Sequence, residues 1–272
     1  KKKINNIFKS ERPDLILHLA AESHVDNSIV EPNNFILTNI IGTYNLLNAS
    51  FDIYKSKSKK DKKKFRFIHI STDEVYGSSK LKNSFNENSP YMPNSPYSAS
   101  KASSDHLVRA WNKTFDLPTI ITNASNNFGP FQNDEKFIPK IIISLIKNQK
   151  VPIYGMGKNQ RDWIFVNDHV DALTNLIKNS KPGSKYNISS GKKTTNINLY
   201  KKIFKIVKKK IKLSKNNSFL DNCKFVKDRP GHDFIYSINS TKIKKDYKWI
   251  AKIELIDGLE KTIDWYIKKY KK

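Results

Sequence analysis

The chain has 272 residues, with 50 lysines and arginines against 25 aspartates and glutamates, so its net charge is +25. This length supports a large core in one or two closely joined domains. The basic residues are mostly lysines in runs without interleaved aromatics, such as 55–64 and 201–215, so we interpret them as solvated surface and expect no nucleic-acid partner.

The single cysteine, Cys223, excludes an internal disulfide and cannot build a metal site by itself. We interpret it as a small core or strand residue, and we expect a reducing cytoplasm. No apolar run reaches membrane-spanning length, and we expect no signal peptide. The first residue is Lys1, and residues 1–9 have the pattern of a helix end, so we expect the natural start to lie elsewhere.

Strand-like and helix-like segments alternate in the first half of the chain. Apolar or β-prone runs at 14–21, 65–70 and 117–122 predict three strands, the first of them central and buried. The segments 32–51 and 96–115 have helical periodicity. This βαβαβ order predicts an α/β fold with a doubly wound, Rossmann-type parallel sheet. Residues 22–26 are expected to form a polar loop, and residues 55–64 a charged loop.

The alternation breaks after residue 123, where residues 126–130 predict a turn. Further elements are expected as helices at 137–147, 167–178, 197–211 and 255–270 and strands at 151–155, 161–166 and 186–188. We therefore predict a dinucleotide-binding domain over 1–124 and 162–190. A smaller α/β substrate-binding lobe is expected over 125–161 and 191–272.

The run from Ser71 to Glu74 places polar side chains directly after the predicted strand 65–70. Ligands bind at this carboxyl edge of open α/β sheets. Adjacent carboxyls such as Asp73 and Glu74 raise each other's pKa, so one can stay protonated and the pair can act as acid and base in eliminating water. The alternative interpretation is a helix cap beside a surface carboxylate.

Tyr97 and Lys101 are four residues apart on a predicted helix, so they share one face. A free phenol has a pKa of about 10. We expect the lysine charge to lower the pKa of Tyr97, which could then accept a hydroxyl proton while hydride leaves the same carbon. An exposed helix pair is the alternative.

Three other residues are candidates for a site. His24 is either catalytic or a structural loop histidine. Arg161 and Arg229 suit paired phosphate recognition, or they form structural ion pairs with Asp162 or Asp228.

Eight blocks together resemble the dTDP-glucose 4,6-dehydratases, within the extended short-chain dehydrogenase/reductase superfamily. The blocks are HLAAESHVD (18–26), STDEVYG (71–77), SPYSASKASSD (95–105), SNNFGP (125–130), EKFIP (135–139), PIYG (152–155), RDW (161–163) and RPGHD (229–233). The Thr-Asp-Glu triplet is the specific part, since related epimerases and decarboxylases lack that acid pair.

The resemblance implies NAD as cofactor and a role for each central residue. Tyr97, helped by Lys101 and Thr72, deprotonates the glucose C4 hydroxyl as hydride passes to NAD. Glu74 removes the C5 proton and Asp73 protonates the departing C6 hydroxyl. Hydride then returns to C6, which gives a 4-keto-6-deoxy sugar nucleotide.

The resemblance also implies ligand contacts and a homodimer through helices 32–51 and 96–115. Cofactor contacts are expected at Ala20, Ala21, Thr38, Tyr97, Lys101 and Asn126. Substrate contacts are expected at Ser23, His24, Asn127, Lys136, Tyr154, Arg161, Asn196, Arg229 and His232.

The sequence departs from the family in its missing glycine-rich opening, roughly sixty residues in two β-α units. We therefore expect this chain to bind NAD poorly and to be unstable as a monomer. Residues 133–134 and 234–235 also differ from the family pattern, near the positions that hold the nucleotide. The sequence therefore leaves open whether the substrate carries thymidine or uridine. Three alternatives remain. The first is another sugar-nucleotide dehydratase, epimerase or decarboxylase of this superfamily; the second is an inactive truncated fragment; the third is a non-catalytic, basic binding protein.

Overall fold

The computed structural model describes residues 2–79, 84–212 and 218–271. Part of the basic run 201–215 lies outside these ranges. The helices are α1 (Lys2–Glu11), α2 (Val25–Val30), α3 (Pro32–Phe35), α4 (Gly42–Ser56), α5 (Lys59–Lys64), α6 (Pro96–Phe115), α7 (Phe137–Ile146), α8 (Val166–Asn179), α9 (Asn196–Ile211), α10 (Thr241–Tyr247) and α11 (Leu255–Tyr270). The strands are β1 (Leu15–His18), β2 (Arg66–Thr72), β3 (Thr119–Ala124), β4 (Asn126–Phe128), β5 (Val151–Tyr154), β6 (Gln160–Phe165), β7 (Lys185–Ile188), β8 (Lys193–Thr195) and β9 (Cys223–Val226).

The main sheet has the strand order β1-β2-β3-β7, and each neighbouring pair is parallel. In its centre Ile68 pairs with Ile120, and both side chains are fully buried. Apolar side chains on both faces of a parallel strand require helices above and below the sheet. The predicted doubly wound α/β fold is confirmed. The expectation that the first strand is central and buried is wrong within the described residues. There β1 is an edge strand paired with β2 alone, so Leu15 and Leu17 are exposed.

Smaller sheets form beyond the carboxyl end of the main sheet. Strands β4, β6 and β8 make one, and β5 pairs with β9 in another. Their core joins Phe128, Trp163 and Leu199 to Tyr266 of α11. Cys223 is buried and opens β9, as predicted. No helix within the described ranges is both long and apolar enough to cross a membrane.

Three predicted loops or turns contain regular structure. The predicted loop at 22–26 ends early, because α2 begins at Val25. The charged loop contains helix α5, because the Ser58 hydroxyl accepts a hydrogen bond from the Asp61 amide and caps the first turn. The predicted turn at 126–130 begins as strand β4, which pairs in parallel with β6.

The predicted helix 32–51 is interrupted by a π-helical segment, Ile36–Ile41, and continues as α4 to Ser56. Asn39 in this segment is buried; its amide nitrogen donates to the Glu22 carbonyl and to Ser100 Oγ. The Ser104 hydroxyl donates to the Asn39 carbonyl at 2.6 Å. The Ser104 bond occupies a backbone carbonyl of the helical ladder, which favours the local π geometry.

Candidate active site

The acid pair lies on a tight turn at the end of β2. A 3-10 helix, Asp73–Tyr76, follows the strand, and the Thr72 hydroxyl caps it by accepting the Glu74 amide at 3.2 Å. The same hydroxyl donates to Asp73 Oδ1 at 3.3 Å. Gly77 ends the turn with φ +76°, where a Cβ would lie 2.3 Å from the Met92 carbonyl oxygen. The backbone therefore fixes both carboxyls at the sheet edge.

Helix α6 brings the tyrosine and the lysine to the same edge. Ser95 and Ser98 form a reciprocal capping box, and Pro96 occupies the first turn, so the helix starts just before Tyr97. The Thr72 hydroxyl is close enough to Tyr97 to lower the pKa of its phenol. The buried Lys101 ammonium donates to the Ile70 carbonyl at 2.8 Å. The five predicted catalytic residues thus meet at the end of β2.

The carboxyls of Asp73 and Glu74 differ in how strongly their surroundings raise the pKa. It raises the pKa of Asp73 well above its usual range, and the neighbouring Glu74 charge raises it further. Burial also raises the pKa of Glu74, but Arg229 and Arg161 oppose that rise. Asp73 is therefore the group more strongly held in its protonated form, while Glu74 keeps cationic support for its anion.

The expected lowering of the Tyr97 pKa is wrong for this structure. Burial raises the pKa of this phenol, and the Glu74 charge adds to the rise, while the nearby Thr72 hydroxyl opposes it. The physical reason is that Tyr97 is almost fully buried, and desolvation disfavours the phenolate. Thr72 is therefore the neighbour that favours proton removal from substrate.

A cleft of about 200 Å³ opens beside Glu74, and Asn126 and Asp26 also line it. All nine residues predicted to contact substrate line this cleft: Ser23, His24, Asn127, Lys136, Tyr154, Arg161, Asn196, Arg229 and His232. They come from loops and elements far apart in the chain. The structure therefore joins them into one site next to the acid pair.

Side chains of the cleft bind one another. Asp26 accepts from the Tyr154 hydroxyl at 2.8 Å and lies 3.4 Å from Arg229 Nη1. The Lys136 ammonium donates to the Ser23 carbonyl at 2.6 Å and to its hydroxyl at 2.9 Å. The cleft wall carries four cations, Lys136, Lys140, Arg161 and Arg229, against the carboxyls of Asp26, Glu74 and Glu135. These cations suit a negatively charged ligand.

The arginines do not form the structural ion pairs considered as alternatives. Within the described ranges, Arg161 donates to the carbonyls of Gln160, Asp233 and Phe234, and its guanidinium lies 4.1 Å from the Tyr236 ring centroid. The salt bridge of Arg229 is to Asp26 and not to Asp228. Instead, Asp228 Oδ1 lies 2.5 Å from His232 Nδ1.

The family model described as GDP-mannose 4,6 dehydratase matches residues 1–262. A dTDP-glucose 4,6-dehydratase of Escherichia coli is 47% identical over an alignment of 275 positions, which covers 97% of this chain and 76% of that protein. The enzyme of that name from Haemophilus influenzae is 45% identical over 267 residues, with 97% and 79% covered. The chain belongs to the dTDP-glucose 4,6-dehydratase family.

Solved structures agree with this assignment to the dTDP-glucose 4,6-dehydratase family. The dTDP-glucose 4,6-dehydratase DesIV from Streptomyces venezuelae, crystallised with NAD bound, has a TM-score of 0.87 at 35% identity, over 98% of this chain and 76% of that chain. A UDP-glucuronic acid 4-epimerase from Bacillus cereus has a TM-score of 0.84 at 24% identity, over 98% and 79%. The second likeness shows a shared fold alone.

The residues predicted to line the NAD site fit a polar ligand. Ala20 and Ala21 follow β1 at the carboxyl side of the sheet, where small side chains allow close approach, and Thr38 is exposed. Asn126 opens β4, and its Oδ1 atom is buried without a hydrogen-bond partner in the described structure. An unpaired buried acceptor is costly, so a donor on a ligand would complete this site.

Two residues beside the acid pair were not among the predicted site residues: Tyr236 contacts Glu74, and Asp233 contacts Tyr236. The Tyr236 hydroxyl lies 3.2 Å from Glu74 Oε2 and 2.9 Å from Asp233 Oδ2. Asp233 ends the RPGHD block, which was a usable signal. Tyr236 lies three residues beyond that block, and no local pattern marks it.

Proposed function

We propose that this chain converts dTDP-glucose to dTDP-4-keto-6-deoxyglucose with NAD, as an enzyme of the lyase class. The observation that carries this proposal is the buried edge where the acid pair meets Tyr97, Lys101 and the cleft. The names of its relatives support the same substrate. The substrate contacts in the cleft and the cofactor contacts are part of this proposal.

Oxidation at C4 is the first step. NAD, when bound, would accept the hydride and later return it. The residues that would hold it are Ala20, Ala21, Thr38, Tyr97, Lys101 and Asn126. Tyr97 acts as a phenolate, which the Thr72 hydroxyl stabilises; it takes the proton of the C4 hydroxyl and becomes the neutral phenol. Lys101 places a positive charge one helical turn away.

Water elimination follows, because a 4-ketone acidifies the C5 proton. Glu74 takes that proton, and the electron pair of the C5–H bond forms the C5–C6 double bond. The C6–O bond breaks as Asp73 gives its proton to the departing hydroxyl. The raised pKa of Asp73 suits the acid, and the arginines beside Glu74 suit the base. Hydride return to C6 and a proton at C5 complete the product.

The predicted division into two domains and the homodimer also belong to the proposal. Exposed apolar side chains lie along the π-helical segment and helices α4 and α6, which supports association through these helices. They are Ile36, Leu37, Ile41, Tyr44 and Phe115. The free, buried Cys223 supports a reducing cytoplasm.

The test is the double variant Asp73→Asn with Glu74→Gln, incubated with dTDP-glucose and NAD and followed by NADH absorbance and mass spectrometry. We expect C4 oxidation without loss of water, because only the elimination step needs the two carboxyls. The unchanged protein should release one water per sugar. A double variant that turns over like the unchanged protein would favour an epimerase or decarboxylase.

A further inference from the structure

The hydroxyl of Tyr236 lies between two buried carboxyl groups. Its hydroxyl lies 3.2 Å from Glu74 Oε2 and 2.9 Å from Asp233 Oδ2. The exposed fractions are 2% for Tyr236, 6% for Asp233 and 8% for Glu74. Water is therefore largely kept from this chain of three acidic groups, and each hydrogen bond within it matters.

The phenol has one hydrogen for two carboxyls. Ionised carboxylates only accept hydrogen bonds, so the hydroxyl can donate to one of them at a time. When it donates to Glu74, it lowers the pKa of that carboxyl and keeps the base ionised. Once Glu74 carries a proton, the phenol hydrogen is free to bond Asp233, and the carboxyl can donate to the phenol oxygen.

The carboxyl and the backbone carbonyl of Asp233 are held in place by other residues. The Asn94 side-chain amide donates to Asp233 Oδ1 at 2.7 Å. Arg161 Nη2 donates to the Asp233 carbonyl at 2.9 Å, and its guanidinium lies 4.1 Å from the Tyr236 ring centroid. The acceptor and the ring are therefore fixed, and only the hydroxyl hydrogen must turn between its two partners.

We propose that Tyr236 is a positioning residue for water elimination, donating to Glu74 while it is the ionised base and to Asp233 once it holds the C5 proton. The inference rests on the proposed dehydration. Proton balance is kept, since the C5 proton ends on Glu74, the Asp73 proton leaves with the hydroxyl, and Tyr236 keeps its own hydrogen. The site then holds the base before and after proton transfer without moving its heavy atoms.

The test is Tyr236→Phe, with Tyr186→Phe as the matched control. Tyr186 is also buried, and its hydroxyl donates to the Asp246 carboxylate at 3.1 Å. In single turnovers with dTDP-glucose and NAD, Tyr236→Phe should oxidise C4 at a rate near that of the unchanged protein. Water elimination should slow about tenfold or more, the effect of one charge-assisted hydrogen bond. The isotope effect from deuterium at C5 should rise, and Tyr186→Phe should change neither step.

Equal slowing of both steps, or unchanged elimination, would overturn the role of Tyr236. If Tyr236→Phe does not fold, Asp233→Asn keeps the side-chain shape, removes the charge and should show the same selective loss. If the unchanged protein dehydrates the sugar and a folded Tyr236→Phe or Asp233→Asn variant eliminates water at the normal rate, the role of Tyr236 is overturned and the proposed function stands. An unchanged protein that never loses water overturns the proposed function as well.

Discussion

The catalytic edge and the substrate cleft adjoin each other but are built in opposite ways. The edge uses residues close in sequence, on the turn after β2 and the first turns of α6, and its exposed fractions are 2% for Asp73 and 4% for Lys101. The cleft gathers side chains from distant loops, such as Ser23, Lys136 and Arg229. Chemistry is therefore set by local backbone geometry, and recognition by the tertiary fold.

The two regions also differ in how far solvent reaches their charged groups. At the edge, burial dominates the pKa of Asp73 and of Tyr97. In the cleft, the Arg229–Asp26 pair is partly exposed, so solvent weakens it and substrate can replace it. Substitutions at the edge should change reaction steps, and those in the cleft should change binding.

The largest expected effect is at the edge. Tyr97→Phe removes the group that accepts the C4 proton but keeps the ring, which packs edge-on against Phe35. We expect kcat to fall by about 10³, within the usual range for a lost general base, with little change in Tm. The burst of NADH absorbance in the first turnover measures it. A variant that forms NADH at the unchanged rate would remove Tyr97 from the mechanism.

An intermediate effect is expected in the cleft. Arg229→Ala should raise KM for dTDP-glucose by about 10- to 100-fold, as expected for a lost charge-assisted contact. The fall in kcat should be smaller, and it arises because Glu74 loses one of the two cations that lower its pKa. Steady-state kinetics measure both, and Arg109→Ala, which lies outside the cleft, is the control. A fall in kcat with unchanged KM would contradict the distinction between the regions.

The smallest effect concerns stability. A raised carboxyl pKa means that the folded state binds the proton more tightly, so stability falls as pH rises from the unfolded value of about 3.9 toward the folded pKa. Asp73→Asn removes the free-energy cost of burying an ionised carboxylate at this position. It should stabilise the fold by about 1 kcal/mol near pH 7, roughly 2–4 °C in Tm.

Melting curves over a pH series check the Asp73→Asn prediction. The advantage of the variant should vanish below about pH 4, where the unfolded carboxyl is protonated too. Asp257→Asn in the first turn of α11, away from this edge, is the control. A variant that melts below the unchanged protein at pH 7 would show that the Asp73 carboxylate stabilises the fold.

Elements with strong local signals were predicted closely. Helix α6 has the predicted bounds, because Ser95 and Pro96 mark its start and Asp116 leaves the helix in a left-handed conformation. Helix α11 also has its predicted bounds, Leu255–Tyr270. The strand β2 was expected at 65–70 and extends to Thr72, where it pairs with Ala124 of β3. The catalytic motif was visible because its members are close in sequence.

Features that depend on tertiary contacts were not predictable. The short strands β8 and β9 exist through pairing with β6 and β5. The π-helical segment is favoured by the bond from the Ser104 hydroxyl on α6 to the Asn39 carbonyl. The direction of the Tyr97 pKa follows from burial, which sequence spacing does not report. Tyr236 reaches Glu74 across 162 positions of sequence, so only the fold shows their contact.

The most direct measurement uses dTDP-glucose carrying deuterium at C4, incubated with the chain and NAD. Mass spectrometry and NMR of the product locate the label. The account predicts loss of one water and deuterium at C6, because hydride leaves C4 and returns to C6 at the same edge. Deuterium returned to C4 with no loss of water would contradict dehydration and indicate epimerase chemistry.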